Sequence, residues 1–70
     1  MEMIPVQSSN ISAIGYDDSN GTLVIEFTSG SAYEYYDVPQ YEFDNLLNAD
    51  SKGSYAHQNI YKNYRQNKIR

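Results

Sequence analysis

The sequence predicts an α+β domain in which a three-stranded antiparallel meander is followed by two helices packed on one face of the sheet. Hydrophobic and polar residues alternate through residues 11–36, which is the period of β-strands. After Pro39 the hydrophobic residues recur every three or four positions, which is the period of an amphipathic helix. Because 70 residues are about half the length of an ordinary domain, we expect a single unit over residues 1–70.

The first hairpin is predicted from the dipeptide Asn20-Gly21. Both positions accept a positive φ, which favours a two-residue type I′ turn. Such a turn places Tyr16 opposite Ile25. The two strands that it joins are residues 11–17 and 22–28.

The second hairpin bends at Ser29-Gly30, and its loop length decides which way the tyrosines point. A two-residue loop would turn Tyr33 and Tyr35 away from the side that holds Phe27. A three-residue loop, with the glycine in a left-handed G1 bulge, keeps the three rings together. We favour the three-residue loop, since the alternative leaves two aromatic rings in water beside a glutamate. The inner face of the sheet then holds Ile14, Tyr16, Leu23, Ile25, Phe27, Tyr33 and Tyr35.

The opposite face of the sheet is predicted to be thinly covered and solvated, because small and acidic side chains alternate along it. Val24 and Tyr36 lie on this outer face. They are candidate contacts for a protein partner or for a second copy of the chain, with an unpaired edge strand as a further possibility.

Two helices are predicted after the sheet. Phe43, Leu46 and Leu47 form the buried stripe of the first, which Ser51-Lys52-Gly53 ends. Ser54 is the expected N-cap of the second, which is predicted to continue into the basic tail. Residues 1–7 and 67–70 are expected to be loose.

Charge divides the chain into two halves. All nine acidic residues lie at or before Asp50, and all five basic residues lie at or after Lys52. One interpretation is a basic arm for a polyanion, and the other is a last helix whose cations complement its own dipole. Under the first, an aromatic ring and cations on one helix flank form a nucleic-acid surface. The candidate contacts are Tyr61, Lys62, Arg65 and Lys68, with Lys52 as an auxiliary.

Catalytic and metal-binding patterns are missing. With no cysteine and one histidine the chain lacks the usual zinc ligand sets. The acidic turn at Asp17 fails as a calcium loop, because Phe27 occupies the position that needs a bidentate glutamate. His57 has no partner at a motif spacing. We therefore expect no enzymatic activity, no metal and no cofactor. Neither a leader peptide nor an apolar run of membrane length is visible, so a cytoplasmic location is expected.

The order of short motifs resembles the KTSC domain family over residues 8 to about 64. The motifs are Ser8-Ser9-Asn10-Ile11, Ile14-Gly15-Tyr16-Asp17, Leu23-x-Ile25-x-Phe27, Tyr33-x-Tyr35, Val38-Pro39 and Ser51-Lys52-Gly53-x-Tyr55. That family is named for a C-terminal extension of some lysyl-tRNA synthetases, and it also includes small stand-alone bacterial proteins. The resemblance implies RNA as a partner. This chain departs from the family pattern at Ala56-His57 and at Arg65.

Two functions follow as hypotheses. The first is a weak or accessory RNA-binding or other nucleic-acid-binding module that uses a basic C-terminal helix. The second is a protein-interaction module, which could be a homodimer formed through the exposed sheet face or an edge strand.

Overall fold

The computed structural model describes all residues from 1 to 70. The five strands form one antiparallel sheet in the order β1-β2-β3-β4-β5. The predicted α+β class and its two helices are confirmed, but the predicted strand number is wrong, because the sheet has five strands and not three. In chain order the elements are β1 (Met3–Pro5), β2 (Ile11–Asp17), β3 (Thr22–Phe27), β4 (Ala32–Tyr35), α1 (Gln40–Asn48), α2 (Lys52–Asn59) and β5 (Gln66–Lys68).

The two additional strands are formed by the termini that were expected to be loose. Met3 of β1 pairs with Gly15 of β2, and Lys68 of β5 pairs with Tyr33 of β4. The predicted basic C-terminal helix is therefore also wrong, since α2 ends at Asn59 and the chain turns back to the sheet.

Asparagine side chains mark the end of α2. The Asn59 amide donates to the carbonyl of Tyr55 at 3.1 Å, and the Asn63 amide donates to the carbonyl of Asn59 at 2.9 Å. Side chains that bond to nearby carbonyls in this way compete with the helical ladder. The helix ends at Asn59, before it reaches Lys62, Arg65 and Lys68.

The β2–β3 hairpin differs in register from the prediction. Tyr16 lies opposite Leu23 and not Ile25. The loop is longer than a type I′ turn, with Gly21 at φ 72° and its amide donating to the carbonyl of Asp17 at 2.9 Å. The Asp17 carboxylate accepts from the backbone amide of Ser19 at 3.0 Å, which stabilises this longer turn. Because the register shift is an even number of residues, Ile14 and Tyr16 keep their predicted face, and an irregularity between Ile11 and Ala13 brings Ile11 into the core.

The β3–β4 hairpin is as predicted. The Phe27 amide donates to the carbonyl of Ser31 at 2.8 Å, and Gly30 adopts the left-handed conformation with φ 98°. Ile25 lies opposite Tyr33, and Leu23 lies opposite Tyr35. Tyr35 is buried and Tyr33 is half-buried, so both rings point toward the helices.

The core lies between the inner face of the sheet and the two helices. α1 begins after Pro39, as predicted, whereas the N-cap of α2 is Ser51 and not Ser54. Neither helix has the length and apolar run needed to cross a bilayer. The buried core residues are Ile11, Ile14, Leu23, Ile25, Tyr35, Val38, Phe43, Leu46, Ala56 and Ile60.

One acidic side chain lies inside the domain. Glu42 of α1 is only 8% exposed, although carboxylates are almost never buried without partners. It accepts hydrogen bonds from the hydroxyl of Tyr55 in α2 and, at 2.9 Å, from the hydroxyl of Tyr64. Since Tyr64 precedes β5, this carboxylate connects α1 to α2 and to the segment leading into the last strand.

The stability of the domain is expected to fall as the pH rises through the alkaline range. Burial and the hydrogen bond to Glu42 raise the pKa of Tyr64 from 10.0 to about 12. Because the folded state holds this proton more tightly than the unfolded chain, the stabilisation is complete below pH 10 and is lost as the pH approaches about 12. Urea unfolding at successive pH values, followed by circular dichroism, measures this. The free energy of unfolding of Tyr64→Phe should depend less on pH than that of the wild type. An unchanged wild-type free energy of unfolding over this range would contradict the prediction.

Candidate functional site

Four aromatic rings lie around an open groove at the β3–β4 end of the inner face. Neighbouring ring centroids are 6.0 to 6.4 Å apart, in the circuit Phe27–Tyr33–Tyr35–Tyr61 and back to Phe27. The groove has a volume of about 320 Å³ and is completed by Asn10 and Gln66. We call it the aromatic groove.

The aromatic groove is open because the helices are too short to cover the sheet. α2 has eight residues and is therefore about 12 Å long, whereas five strands span roughly 20 Å. The helices cover the centre of the sheet and leave Phe27, Tyr33 and Tyr61 half-buried. Tyr35, which lies between Tyr33 and Tyr61, is 2% exposed and forms the floor.

A second depression adjoins the aromatic groove, and the two share Asn10 and Tyr61. It has a volume of about 330 Å³ and lies beside α2. We call it the polar cleft. Its lining residues are Ser9, Asn10, Ser51, Gly53, Ser54, His57, Gln58 and Tyr61.

Gly53 fits closely against one wall of the polar cleft. A Cβ atom at this position would lie 2.7 Å from Oδ1 of Asn10, which is closer than real Cβ atoms approach an oxygen. The absence of a side chain at Gly53 therefore allows Asn10 to lie against α2, at the junction of the two depressions.

The electrostatic character of this surface differs from that of the whole chain. The protein has nine acidic residues and a net charge of −4, but no carboxylate lines the aromatic groove or the polar cleft. Lys68 lies directly opposite Tyr33, so its exposed side chain leaves the sheet on the groove side. The surface is thus neutral with a cation at its edge.

The hydroxyls of Tyr35 and Tyr61 are not acid–base groups at physiological pH. Burial raises the pKa of Tyr61 and, together with the nearby Tyr61 and Tyr33 phenols, that of Tyr35. The Tyr61 hydroxyl is inaccessible to solvent and has no hydrogen-bond partner in the protein. No three His, Asp or Glu side chains lie close enough together to bind a metal ion.

The structure brings together only some of the predicted nucleic-acid contacts. Tyr61 and Lys68 border the aromatic groove, and Lys62 follows Tyr61 with an exposed side chain. Arg65 and Lys52 lie against other parts of the chain. The Arg65 guanidinium lies 3.6 Å from Asp37 and 5.5 Å from the centre of the Tyr36 ring, and the Lys52 ammonium donates to the carbonyl of Ala49 at 3.0 Å.

The predicted outer-face contacts are less available than the sequence indicated. Val24 is only 7% exposed. The Tyr36 hydroxyl donates to Glu34 at 2.9 Å, and Arg65 covers its ring. The outer face is covered in part by the terminal segment, since the sulfur atoms of Met1 and Met3 lie over Gly15.

The KTSC domain family model matches residues 7–64. This chain belongs to the KTSC domain family. A crystal structure of a KTSC domain protein from Yersinia pestis superposes with a TM-score of 0.95, at 36% identity, over 99% of this chain and 97% of that one.

KTSC domains similar to this one occur in proteins of very different size. A small protein of Tsukamurella paurometabola is 48% identical over 54 residues, which are 77% of this chain and 81% of that protein. A lysine–tRNA ligase of Nostoc sp. is 43% identical over 58 residues, which are 83% of this chain. This KTSC domain spans only 10% of the length of that ligase.

Asn10, Phe27 and Gln66 are groove residues of this KTSC domain that the sequence did not single out as ligand contacts, and Tyr33 was interpreted as a core residue in preference to a stacking platform. The inward direction of the Phe27 and Tyr33 rings was predicted, but the two helices were assumed to cover both rings fully. The available signal was the content of eight tyrosines and two phenylalanines, which is more aromatic surface than two short helices can bury.

Proposed function

We propose that this KTSC domain binds single-stranded nucleic acid in the aromatic groove. The supporting observation is the circuit of four rings with no carboxylate in its lining, in a chain that is acidic overall. Bases stack on such rings whatever their identity, and acidic groups near the backbone would repel phosphate. The similarity to lysine–tRNA ligases adds support, because those enzymes act on a nucleic acid.

Stacking is expected to contribute more than charge. Each stacked base contributes about 1–3 kcal/mol. Lys68 is the cation on the groove side, Lys62 is exposed next to Tyr61 in the chain, and Arg65 lies beside Asp37 and Tyr36. Two phosphate contacts correspond to a slope of about −1.4 in a plot of log affinity against log salt. The ligand is thus held mainly through its bases, with modest salt dependence.

We infer further that the domain is a binding module and not a catalyst. The ring centroids of His57 and Tyr61 lie 6.3 Å apart in a T-shaped arrangement, but His57 has no side-chain partner that would orient it as a general base. Self-association through the outer face receives no support from Val24, which is buried, or from Tyr36, which is engaged within the chain.

The test is a titration of fluorescein-labelled single-stranded RNA, followed by fluorescence anisotropy at about 50 and about 200 mM salt. Tyr33→Leu and Phe27→Leu keep apolar bulk but remove the aromatic face. Each is expected to weaken binding by about 5- to 100-fold, which corresponds to one lost stacking contact.

The matched control is Tyr41→Leu, which removes a tyrosine that is 64% exposed on α1, outside the groove. It should bind as the wild type does. Thermal unfolding of each variant confirms that it is folded. Absence of wild-type binding at the lower salt, or equal losses for Tyr33→Leu and Tyr41→Leu, would refute the proposal.

A further inference from the structure

The polar cleft contains hydrogen-bonding capacity that the fold does not use. Ser9, Ser54, His57 and Gln58 all line it and are exposed, and their side chains make no hydrogen bond within the protein. Asn10 accepts one hydrogen bond, from the hydroxyl of Ser8 at 3.3 Å, which leaves its NH₂ group free. These free groups converge on one depression beside the aromatic groove.

Other carboxamides near the helices are engaged. The side-chain amides of Asn48, Asn59 and Asn63 each donate to a backbone carbonyl four residues earlier, at 2.9 to 3.1 Å. Gln58 lies next to Asn59 on the same helix and donates to nothing. On α2, the unused hydrogen-bonding capacity therefore lies on the side that lines the polar cleft.

The chemistry of the polar cleft suits a neutral ligand group. No Lys, Arg, Asp or Glu lines it. Lys52 adjoins it in the chain, but its ammonium group donates to the carbonyl of Ala49. Serine hydroxyls, carboxamides and imidazole offer donors and acceptors together, which match a hydroxyl group better than a phosphate.

The two depressions are continuous through Asn10 and Tyr61. A nucleotide whose base lies on the Tyr61 side of the aromatic groove would have its sugar beside Asn10, at the opening of the polar cleft. The ribose of RNA carries a 2′-hydroxyl, which is both donor and acceptor, and DNA lacks this group.

We propose that the polar cleft recognises the ribose 2′-hydroxyl, so that the domain prefers single-stranded RNA to single-stranded DNA. This inference rests on the proposed function, because the bases must first stack in the aromatic groove. The aromatic groove binds RNA and DNA bases alike, and the polar cleft distinguishes ribose from deoxyribose. The proposed preference for RNA depends most on the side chains of Ser54 and Gln58, which lie one turn apart on α2.

The experiment compares three labelled strands of the same base, oligoadenylate as RNA, as DNA and as 2′-O-methyl RNA, by anisotropy at one salt concentration. We expect RNA to bind about 5- to 20-fold more tightly than DNA, as one or two hydrogen bonds would give. The 2′-O-methyl strand keeps the sugar oxygen but loses the donor, and it should bind like DNA.

The double variant Ser54→Ala, Gln58→Ala should bring the RNA-to-DNA affinity ratio close to one while leaving DNA affinity unchanged. Both residues are exposed, so the fold should tolerate the change. Gln40→Ala on α1, outside the cleft, is the control and should keep the wild-type ratio. Equal wild-type binding of RNA and DNA, or an unchanged ratio in the double variant, would overturn this inference and leave the proposed function standing. Binding of neither strand would overturn both.

Discussion

Replacing Glu42 with alanine is expected to lower the free energy of unfolding by about 3 kcal/mol. A hydroxyl that loses its acceptor where water cannot replace it costs on the order of 1–3 kcal/mol, and Glu42, which is 8% exposed, accepts from the half-buried Tyr55 and Tyr64. A domain of this size has a total stability of only about 4–10 kcal/mol. The thermal midpoint should therefore fall by about 15 °C, which circular dichroism measures directly.

The matched control is Glu34→Ala. Glu34 also accepts a tyrosine hydroxyl, that of Tyr36 at 2.9 Å, but both residues are partly exposed. Water can replace the lost acceptor there, so the cost should stay below about 1 kcal/mol. In the Glu42→Ala background, Tyr64→Phe should cost little more, because the hydroxyl it removes is already unpaired. If the two alanine variants were equally stable, the buried carboxylate would not be what holds α1 and α2 together.

The inner and outer faces of the central strands could be predicted because strand alternation is local information. Leu23, Ile25 and Phe27 fix the phase of β3 by themselves, and Gly30 fixes the loop that brings Tyr33 and Tyr35 to the same side. The predicted pairing of β2 with β3 differs by two residues from the observed register. Its turn is decided by a side-chain hydrogen bond at Asp17, which competes with the Asn-Gly signal.

The edge strands could not be predicted from the chain alone. β1 and β5 are three residues each, and β5 is exposed at every position, so neither shows alternation. Their pairing depends on partners distant in the sequence, such as Tyr33 with Lys68. The concentration of cations after Lys52 indicated one continuous helix, whereas the chain reverses after Asn59.

The candidate site was predictable only in part for the same reason. Tyr61 and Lys68 were singled out from their own neighbourhood in the sequence. Their association with Phe27 and Asn10 arises from the sheet and from the close approach of Asn10 to Gly53. The area of the sheet that two short helices leave uncovered depends on the tertiary arrangement, and no local sequence pattern indicates it.

Removal of residues 66–70 is expected to destabilise the domain by about 2 kcal/mol and to lower its thermal midpoint by about 10 °C. The Ile69 amide donates to the carbonyl of Ala32 at 2.9 Å, and the Arg70 side chain donates to the carbonyl of Gly30 at 2.9 Å. These bonds and the β4–β5 ladder are lost. The loss is offset in part, because five residues no longer need to be ordered.

The same truncation should promote self-association, since it exposes the edge of β4 beside half-buried aromatic rings. Thermal circular dichroism and sedimentation velocity measure the two effects. The matched control is the full-length double variant Lys68→Ala, Arg70→Ala, which removes two cations but keeps the backbone ladder. Because it retains β5, it should keep the association state of the wild type and lose less stability than the truncated chain. If the truncated chain had the same thermal midpoint as the wild type, the last residues would be loose, as the sequence predicted for 67–70, and Lys68 could not be held at the groove.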